Sequence, residues 1–416
     1  MSTRVLAVNS FWSLLSHLLW RGSLMLAAIL LARTLSTSGF AAYSYFQMTA
    51  TMLATYATLG LGVTASRFFA EAGHERPGQA PLPLGTLWTM SLVLSVLAFV
   101  VVALLPDGLV SAGLDVPQWM LALGVASIAL GVIPGGAVLG AERYREASAV
   151  AAVSGFVMLA GSWWSGLQQA PLIAMVALII GALIQAVGQF LVAGSATGWR
   201  RMGVGFGFAR QNVAQVYGFA GPMMFVSLMA GSGAWIVGRL ILHGADGERE
   251  FALYSIGMQW FSLTLLIPGM IARVLLPRMV RILSDAESGA RHLVRRATRL
   301  AGGAGAIVGL AGVLMGPWLM GIYGSDYYAG RWFIAAYIGA AVVNAPLTTL
   351  GNAVVAGNGQ WAWMRITAVW FVLLILLAAV GAAYGLAAWT GACAQSVSSL
   401  AQLSVTALYA RRTGLV

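Results

Sequence analysis

The sequence predicts an all-α polytopic membrane protein with about twelve transmembrane helices in two parallel six-helix repeats. Three observations support this prediction: an extremely apolar composition, a series of apolar segments long enough to cross a bilayer, and two segments of the first half that recur in similar form in the second half, which we call echoes. Hydrophobic residues make up 60% of the 416 residues and charged residues only 8%, whereas a soluble globule has about a quarter charged residues. The chain is therefore too apolar for a soluble protein.

Apolar windows of roughly twenty residues, the length of a membrane-spanning helix, occur about twelve times. The first window contains Arg21 and has no signal-peptidase site after it, so we interpret it as a retained helix. The last is the most polar, and we expect it to face other helices rather than lipid. The predicted cores are 10–32, 40–63, 84–105, 119–140, 148–168, 172–195, 213–238, 251–272, 300–320, 331–353, 366–386 and 388–410.

Two echoes indicate that the second half of the chain duplicates the first. The segment AVLGAERYREASAV from Ala137 resembles AVVAGNGQWAWMRITAV from Ala353. The other echo joins GFAAYS from Gly39 to EFALYS from Glu250, and its four matched residues each recur 211 positions later. We therefore predict an N-terminal six-helix lobe over 1–197, a cytoplasmic linker over 198–212 and a C-terminal six-helix lobe over 213–416.

Basic residues predict the orientation in the membrane. All 23 are arginines, and 18 of them fall in loops or helix ends that lie inside if both termini are cytoplasmic. This asymmetry is the one that the positive-inside rule describes. Six spans per half is an even number, so both halves enter the membrane in the same sense, as in transporters with parallel repeats.

The placement of charge excludes several classes of function. The twelve acidic residues all fall in loops or at helix ends, whereas a carrier of organic cations needs an acid within the membrane. The interior is biased toward positive charge instead, which indicates an anionic cargo. The arginines form short runs between apolar segments, so no nucleic-acid partner is expected. With Cys393 alone and four scattered histidines, neither a metal site nor a cofactor is indicated.

Arg21 is the sharpest candidate for contact with a ligand. It lies twelve residues from both Asn9 and Arg33, about 18 Å from each end of the first span. An arginine side chain does not reach the interface over that distance, so Arg21 either faces water and a ligand or is satisfied by neighbouring carbonyls. His17, one helical turn earlier, either shares this face or packs as a structural histidine.

Three other arginines each have two alternative roles. Arg273 follows Pro268 and Gly269 in the eighth span, where a proline frees a carbonyl and bends the helix, and it either lines a cavity or anchors the interface. Arg67 either pairs with Glu71, four residues on, or contacts substrate. Arg239 either anchors the outer end of the seventh span or meets substrate.

Neutral polar residues within the spans include Gln47, Gln185, Gln189, Gln259 and Asn344, and they either hydrogen-bond sugar hydroxyls or bridge helices. Bending of the seventh span is expected at Gly221 and Pro222. The candidate substrate-binding residues are therefore Arg21, Arg273, Arg67, Arg239, His17, Gln47, Gln259 and Asn344, and the candidate hinge residues are Gly221, Pro222, Pro268 and Gly269.

Several motifs resemble one known family. The run LLARTLSTSGFAAYSYFQ followed by LGLGVTASRFFAE, and later IPGMIARVLLPRM and YGSDYYAGRW leading to NAPLTTLGNAVVAGNGQ, resemble the polysaccharide biosynthesis (Wzx-type) flippases. These belong to the multidrug/oligosaccharidyl-lipid/polysaccharide (MOP) exporter superfamily. The resemblance covers almost the whole chain. One departure is that Val237 and Gly238 precede Arg239, where family members often carry an acid.

This resemblance implies a MATE-like fold with a V-shaped cavity and no enzymatic activity. It implies export of an undecaprenyl diphosphate-linked oligosaccharide from the inner to the outer leaflet by alternating access, for O-antigen, capsule or exopolysaccharide synthesis. The implied partners are this anionic glycan, membrane lipids, and a polysaccharide polymerase or glycosyltransferases of the same pathway, with the protein itself a monomer. The alternatives are a drug/cation antiporter of the same superfamily and a membrane enzyme acting on lipid-linked sugars.

Overall fold

A computed structural model of the chain describes residues 3–58, 60–72, 84–106, 111–199, 203, 221–272, 290–357 and 359–415. These residues form thirteen α-helices of at least 12 residues, a shorter helical segment over 266–272 and one 3-10 helix, with no strand among them. The chain divides into two compact units, Met1–Ser227 and Leu228–Val416. The predicted linker 198–212 lies almost entirely outside the described residues.

The described part of the N-terminal unit contains seven helices, and the second predicted span is divided between two of them. The break falls around Gly60, whose φ is 78°, a left-handed conformation that glycine adopts without steric cost. The helices are α1 Thr3–Thr34, α2 Thr37–Thr58, α3 Leu61–Ala72, α4 Leu84–Leu104, α5 Gln118–Gly140, α6 Tyr144–Gln168 and α7 Pro171–Thr197.

Six more of the longer α-helices follow in the described residues, and the boundary between the units falls within the first of them. They are α8 Gly221–Leu242, α9 Gly247–Thr264, α10 Ala290–Tyr323, α11 Arg331–Ala356, α12 Gln360–Ala383 and α13 Ala388–Arg412, with the 3-10 helix Ser325–Gly330 between α10 and α11. A carboxylate holds the start of α13, because Glu250 Oε2 accepts a hydrogen bond from the backbone N–H of Ala388 at 2.9 Å. Acidic groups stabilise helix N-termini in this way.

Each of the twelve predicted spans coincides with helix in the described residues. Ten helical segments there are long and apolar enough to cross a membrane, and the more polar α2 and α13 occupy the other two predicted spans. The helical polytopic fold is thus confirmed.

Both echoes lie at equivalent places in the two units. Phe40 and Tyr43 of α2, and Phe251 and Tyr254 of α9, are at most 2% exposed. The second echo spans the α5–α6 turn in one unit and the α11–α12 turn in the other. The helix pairs α2–α5, α4–α5, α5–α7 and α6–α7 pack together in the first unit, and α9–α11, α10–α11, α11–α13 and α12–α13 pack together in the second. These four helix contacts therefore recur at equivalent places in the two units.

Glycines set the closest helix contacts. A methyl group added to Gly136 of α5 would lie 2.2 Å from the carbonyl oxygen of Gly62, and one added to Gly140 would lie 2.2 Å from that of Ser66. Both oxygens belong to α3. Small residues spaced four apart allow backbones to approach in this manner in membrane proteins.

The polar face of α13 is buried against helices, as its sequence predicted. Five of its polar side chains are at most 9% exposed: Gln395, Ser398, Ser399, Gln402 and Thr406. Two of them bond to neighbouring helices, because Ser399 Oγ accepts from Asn344 Nδ2 of α11 at 2.8 Å and Gln402 Nε2 donates to Thr367 Oγ1 of α12 at 3.4 Å.

Candidate functional site

A half-open cavity of about 230 Å³ in the N-terminal unit is lined mainly by α1, α5 and α7. Its lining on α5 extends from Ile128 to Leu139, a length of roughly 16 Å along the helix axis. Aliphatic side chains make up most of this wall. The polar lining comes from α1 and α7, so the cavity has one apolar side and one side that offers hydrogen bonds.

Helix α1 contributes Ser16, His17 and Trp20 to the cavity. These positions lie on one face of the helix, because residues three and four apart are neighbours on an α-helical surface. Arg21 is four residues beyond His17 and therefore adjoins the same face. The structure thus brings the predicted residue His17 to a cavity and places Arg21 beside it along the helix.

Helix α7 contributes Gln185 and Gln189, which are four residues apart on one helical face. Gln189 Nε2 donates to Gln185 Oε1 over a long 3.4 Å. Facing them on α5 is Gly135, where an added methyl group would lie 3.1 Å from Gln189 Oε1. The absence of a side chain at this position leaves room for the Gln189 amide at the cavity wall.

The position of α1 is set by its packing against α6. An added methyl group on Gly155 of α6 would lie 2.1 Å from Ser23 Oγ, so the two helices are in direct contact there. Ser148 Oγ of α6 lies 3.0 Å from the carbonyl oxygen of Trp12. The Arg145 guanidinium lies over the Trp12 ring, 5.9 Å from its centroid. These contacts hold the His17 face of α1 toward α5 and α7.

Arg21 lies near the middle of α1 and is exposed on the surface of the N-terminal unit. The helix has 32 residues, about 48 Å in length. Within the apolar segment Phe11–Thr34 of this helix, Arg21 lies ten residues from one end and thirteen from the other, about 15 Å and 20 Å, so a guanidinium there requires water or polar groups around it when the segment spans the membrane.

The other predicted residues of the first unit lie on α2 and α3. Gln47 is half-buried on α2, and its backbone carbonyl accepts from Thr51 Oγ1 at 2.7 Å. Arg67 is exposed on α3. The alternative ion pair between Arg67 and Glu71 falls on a side chain outside the described set.

In the second unit, the predicted residues make contacts within that unit. Arg239, in the last turn of α8, lies over the Trp235 ring at 5.0 Å from its centroid. Gln259 Oε1 accepts from Tyr323 Oη at 3.3 Å. Asn344 Nδ2 contacts Ser399 Oγ and the carbonyl oxygen of Ala340. Arg273 lies outside the described residues.

The predicted hinge at Pro268 and Gly269 lies beside an interruption of the helix. The α9 helix ends at Thr264, Leu265 forms a turn, and helical structure resumes as far as Ala272. A proline at position 268 lacks the N–H that would bond to the carbonyl of Thr264, so the interruption falls where the proline removes a hydrogen bond. Gly221 and Pro222 are the first two described residues of α8.

Trp20 and Ser16 are cavity residues that sequence reasoning missed, although they lie three residues after and one before His17. Their spacing from His17 along α1 was the feature of the sequence that could have identified them. The two glutamines were recognised as polar residues within a span, but nothing in the sequence placed them opposite His17. No group of three or more metal-ligating side chains occurs among the residues that the structure describes.

The architecture defines the class of protein as a polytopic membrane protein with the fold of MATE transporters. The fold is similar to that of a multidrug resistance MATE family transporter of the MOP superfamily in its inward-facing conformation, with a TM-score of 0.77, 14% identity and coverage of 95% of each chain. It is also similar to a mutant of the Vibrio cholerae MATE transporter VcmN, with a TM-score of 0.71, 15% identity and coverage of 99% of this chain and 97% of that one.

The chain belongs to the family described as "Polysaccharide biosynthesis protein", whose model matches residues 6–283. It is similar to the EPS I polysaccharide export inner membrane protein EpsE of Ralstonia nicotianae, at 23% identity over 86% of this chain and 83% of that protein. The protein of the same name from Ralstonia solanacearum is 24% identical over 85% of this chain and 82% of its own length. With ten apolar helices among its described residues and relatives named as inner membrane proteins, the chain is a multi-pass inner membrane protein.

Proposed function

We propose that this protein is a flippase that moves a polyprenyl diphosphate-linked oligosaccharide from the inner to the outer leaflet of the membrane by alternating access. The observation that carries the proposal is Arg21, an exposed arginine near the middle of a membrane-spanning helix in a chain of the polysaccharide biosynthesis family. A guanidinium at this depth suits a diphosphate group, with which it forms paired hydrogen bonds.

The distribution of acids agrees with an anionic cargo. Among the described residues, the carboxylates lie in turns or near helix ends, as Glu146 and Glu250 do in the first turns of α6 and α9. A buried carboxylate that would repel the diphosphate is not found in that part of the chain. The membrane potential favours this cargo, since each negative charge moved outward across about 100 mV gains roughly 2.3 kcal/mol.

A drug/cation antiporter is the second transport function, and the MATE fold admits it. Such a carrier needs an intramembrane acid to neutralise its cargo, and the described spans offer none away from their ends. An enzyme acting on lipid-linked sugars is the third alternative. The relatives are named export proteins, which favours transport, so purified protein that turns over a lipid-linked sugar would reverse this choice.

Replacement of Arg21 by Gln tests the proposal. We expect Arg21→Gln in a strain lacking the native gene to abolish surface polysaccharide, because the diphosphate loses its cationic partner, while the protein remains in the membrane. Polysaccharide would be measured on the cell surface and protein level by immunoblotting.

Arg33→Gln is the matched control. Arg33 is exposed in the last turn of the same helix, so its loss removes the same charge near the interface rather than at mid-membrane. We expect near-normal polysaccharide from this variant. Normal polysaccharide from Arg21→Gln would refute the proposed role, and equal loss in both variants would show that overall charge matters rather than the position of Arg21.

A further inference from the structure

We propose that the cavity between α1, α5 and α7 binds one uncharged pyranose ring, with Trp20 stacking on the ring and Gln185 and Gln189 hydrogen-bonding its hydroxyl groups. The identity of this ring as the sugar nearest the diphosphate rests on the proposed function. The binding itself does not, and it is tested separately below.

The size of the cavity fits a single sugar ring. Its volume of about 230 Å³ is several times the ~30 Å³ that one water occupies in the liquid. It lies below the ~300 Å³ at which pockets for drug-sized molecules begin. A monosaccharide is a ligand of the intermediate size.

The two glutamines offer unused hydrogen-bonding capacity. Each primary amide has two N–H donors and an acceptor oxygen, yet the contact found for this pair within the described residues is one 3.4 Å bond between the two. Hydroxyl groups both donate and accept hydrogen bonds, so neighbouring hydroxyls of a sugar complement two amides one helical turn apart. Gly135 allows this approach because it places no side chain in front of the Gln189 amide.

The remaining walls match the less polar faces of a pyranose. Trp20 supplies a flat aromatic surface, and Ile128, Val132 and Val138 supply aliphatic contacts. Small-molecule sites commonly combine such apolar and aromatic walls with a few placed polar groups. A sugar ring uses both kinds of wall, because it carries hydroxyls around its edge and C–H groups on its faces.

The chemistry of the lining argues against two other occupants. A diphosphate would find neither arginine nor lysine among the lining residues. An acyl chain would leave the side chains of Ser16, Gln185 and Gln189 against hydrocarbon, which costs free energy for each unpaired polar group. An uncharged sugar avoids both penalties.

The position of Arg21 identifies which sugar occupies the cavity. Arg21 follows Trp20 directly and lies four residues, about 6 Å along the axis, beyond His17. A diphosphate held by Arg21 therefore lies next to the cavity rather than several sugars away. The sugar joined directly to the diphosphate is the one within reach.

Binding can be measured with simple glycosides on the full-length protein in lipid nanodiscs prepared without sugar detergents, which carry pyranose rings themselves. We expect saturation-transfer NMR to detect ring protons of at least one of the methyl pyranosides of glucose, galactose and N-acetylglucosamine. The signal should fall about fivefold to tenfold in Gln189→Leu and Trp20→Leu, the loss expected for one hydrogen bond or one stacking contact. Trp20→Phe should retain much of it.

Two controls lie outside the cavity in the same unit. Gln168 and Trp163 are exposed on α6, and we expect Gln168→Leu and Trp163→Leu to bind the glycosides like the unmodified protein. Gly135→Ala, which crowds the Gln189 amide, should weaken binding without disturbing other contacts. No glycoside signal, a signal that the cavity variants leave unchanged, or displacement of the glycoside by lauric acid would overturn the proposal.

Surface polysaccharide separates this inference from the proposed function. If Gln189→Leu and Trp20→Leu lower polysaccharide at least about fivefold while Gln168→Leu does not, both are supported. If Arg21→Gln abolishes polysaccharide but the cavity variants bind and export normally, the sugar site is wrong and the flippase proposal remains. If deletion of the gene leaves polysaccharide intact while nanodiscs bind the glycoside at the cavity, the site stands and the flippase proposal fails.

Discussion

The contact between α3 and α5 predicts opposite effects for the same substitution at two glycines of α5. In Gly136→Ala the new methyl carbon would lie 2.2 Å from the carbonyl oxygen of Gly62, a backbone atom of α3. In Gly131→Ala the nearest atom outside the local helix is the Ala186 methyl group at 3.7 Å, an ordinary van der Waals distance. The two variants add the same atom to the same helix.

The magnitude follows from the distance that must be recovered. A carbon and a carbonyl oxygen lie about 3.3 Å or more apart in close helix contacts, so Gly136→Ala requires α3 and α5 to separate by about 1 Å. Gaps of that size forfeit a quarter to a half of the local dispersion energy, and overpacking of this kind typically costs about 1–3 kcal/mol. Gly131→Ala has no such cost and gains up to about 1 kcal/mol in helix propensity.

Thermal unfolding of the purified variants in detergent, followed by intrinsic tryptophan fluorescence, measures the difference. We expect Gly136→Ala to unfold at a lower temperature than the unmodified protein and Gly131→Ala to unfold at the same or a higher temperature. Hydrogen exchange of α3 and α5 should accelerate in Gly136→Ala alone. Equal stability of the two alanine variants would refute the close approach of these helices.

Three further predictions concern the second unit and the orientation of the chain. Glu250→Ala removes the acceptor for the Ala388 N–H and should speed hydrogen exchange in the first turn of α13 about tenfold, with a smaller effect for Glu250→Gln; unchanged exchange would contradict the cap. Asn344→Ala and Ser399→Ala should show a coupling of about 1 kcal/mol in a double-mutant cycle of unfolding, and strictly additive effects would show that their hydrogen bond contributes nothing. Green fluorescent protein fused to the C-terminus should fluoresce if that terminus is cytoplasmic, and a dark fusion present in the membrane would reverse the predicted orientation.

The spans and the repeat could be read from the sequence because they depend on local properties. A segment of about twenty apolar residues has few alternatives to a membrane helix, since the backbone must satisfy its hydrogen bonds internally. The polar composition of α13 likewise indicated a helix among helices, and Gln395, Ser399 and Gln402 are buried. The echo of Phe40 and Tyr43 in Phe251 and Tyr254 marked positions that are buried in both units.

The cavity could not be predicted from the sequence, because it depends on contacts between residues that are far apart in the chain. His17 lies on α1 and Gln189 on α7, with five helices between them in the sequence, and no local sequence pattern relates the two residues. Asn344 illustrates the same limit, because a polar residue within a span was recognisable while its partner, Ser399 on α13, was not. Both assignments depend on how the helices are rotated about their axes.

Composition and segment length were sufficient to establish a polytopic helical membrane protein, because transfer of a long apolar helix into a bilayer is favourable whatever it later packs against. The rotation of each helix about its axis and the helices that it packs against are determined only by the tertiary structure. Spans that are apolar on every side have no amphipathic pattern from which their buried face could be predicted. Steric fit at glycines such as Gly136, Gly140 and Gly155 determines which helix faces pack together. That choice, and not the polarity of any one segment, gathers Trp20, Gln185 and Gln189 around one cavity beside Arg21.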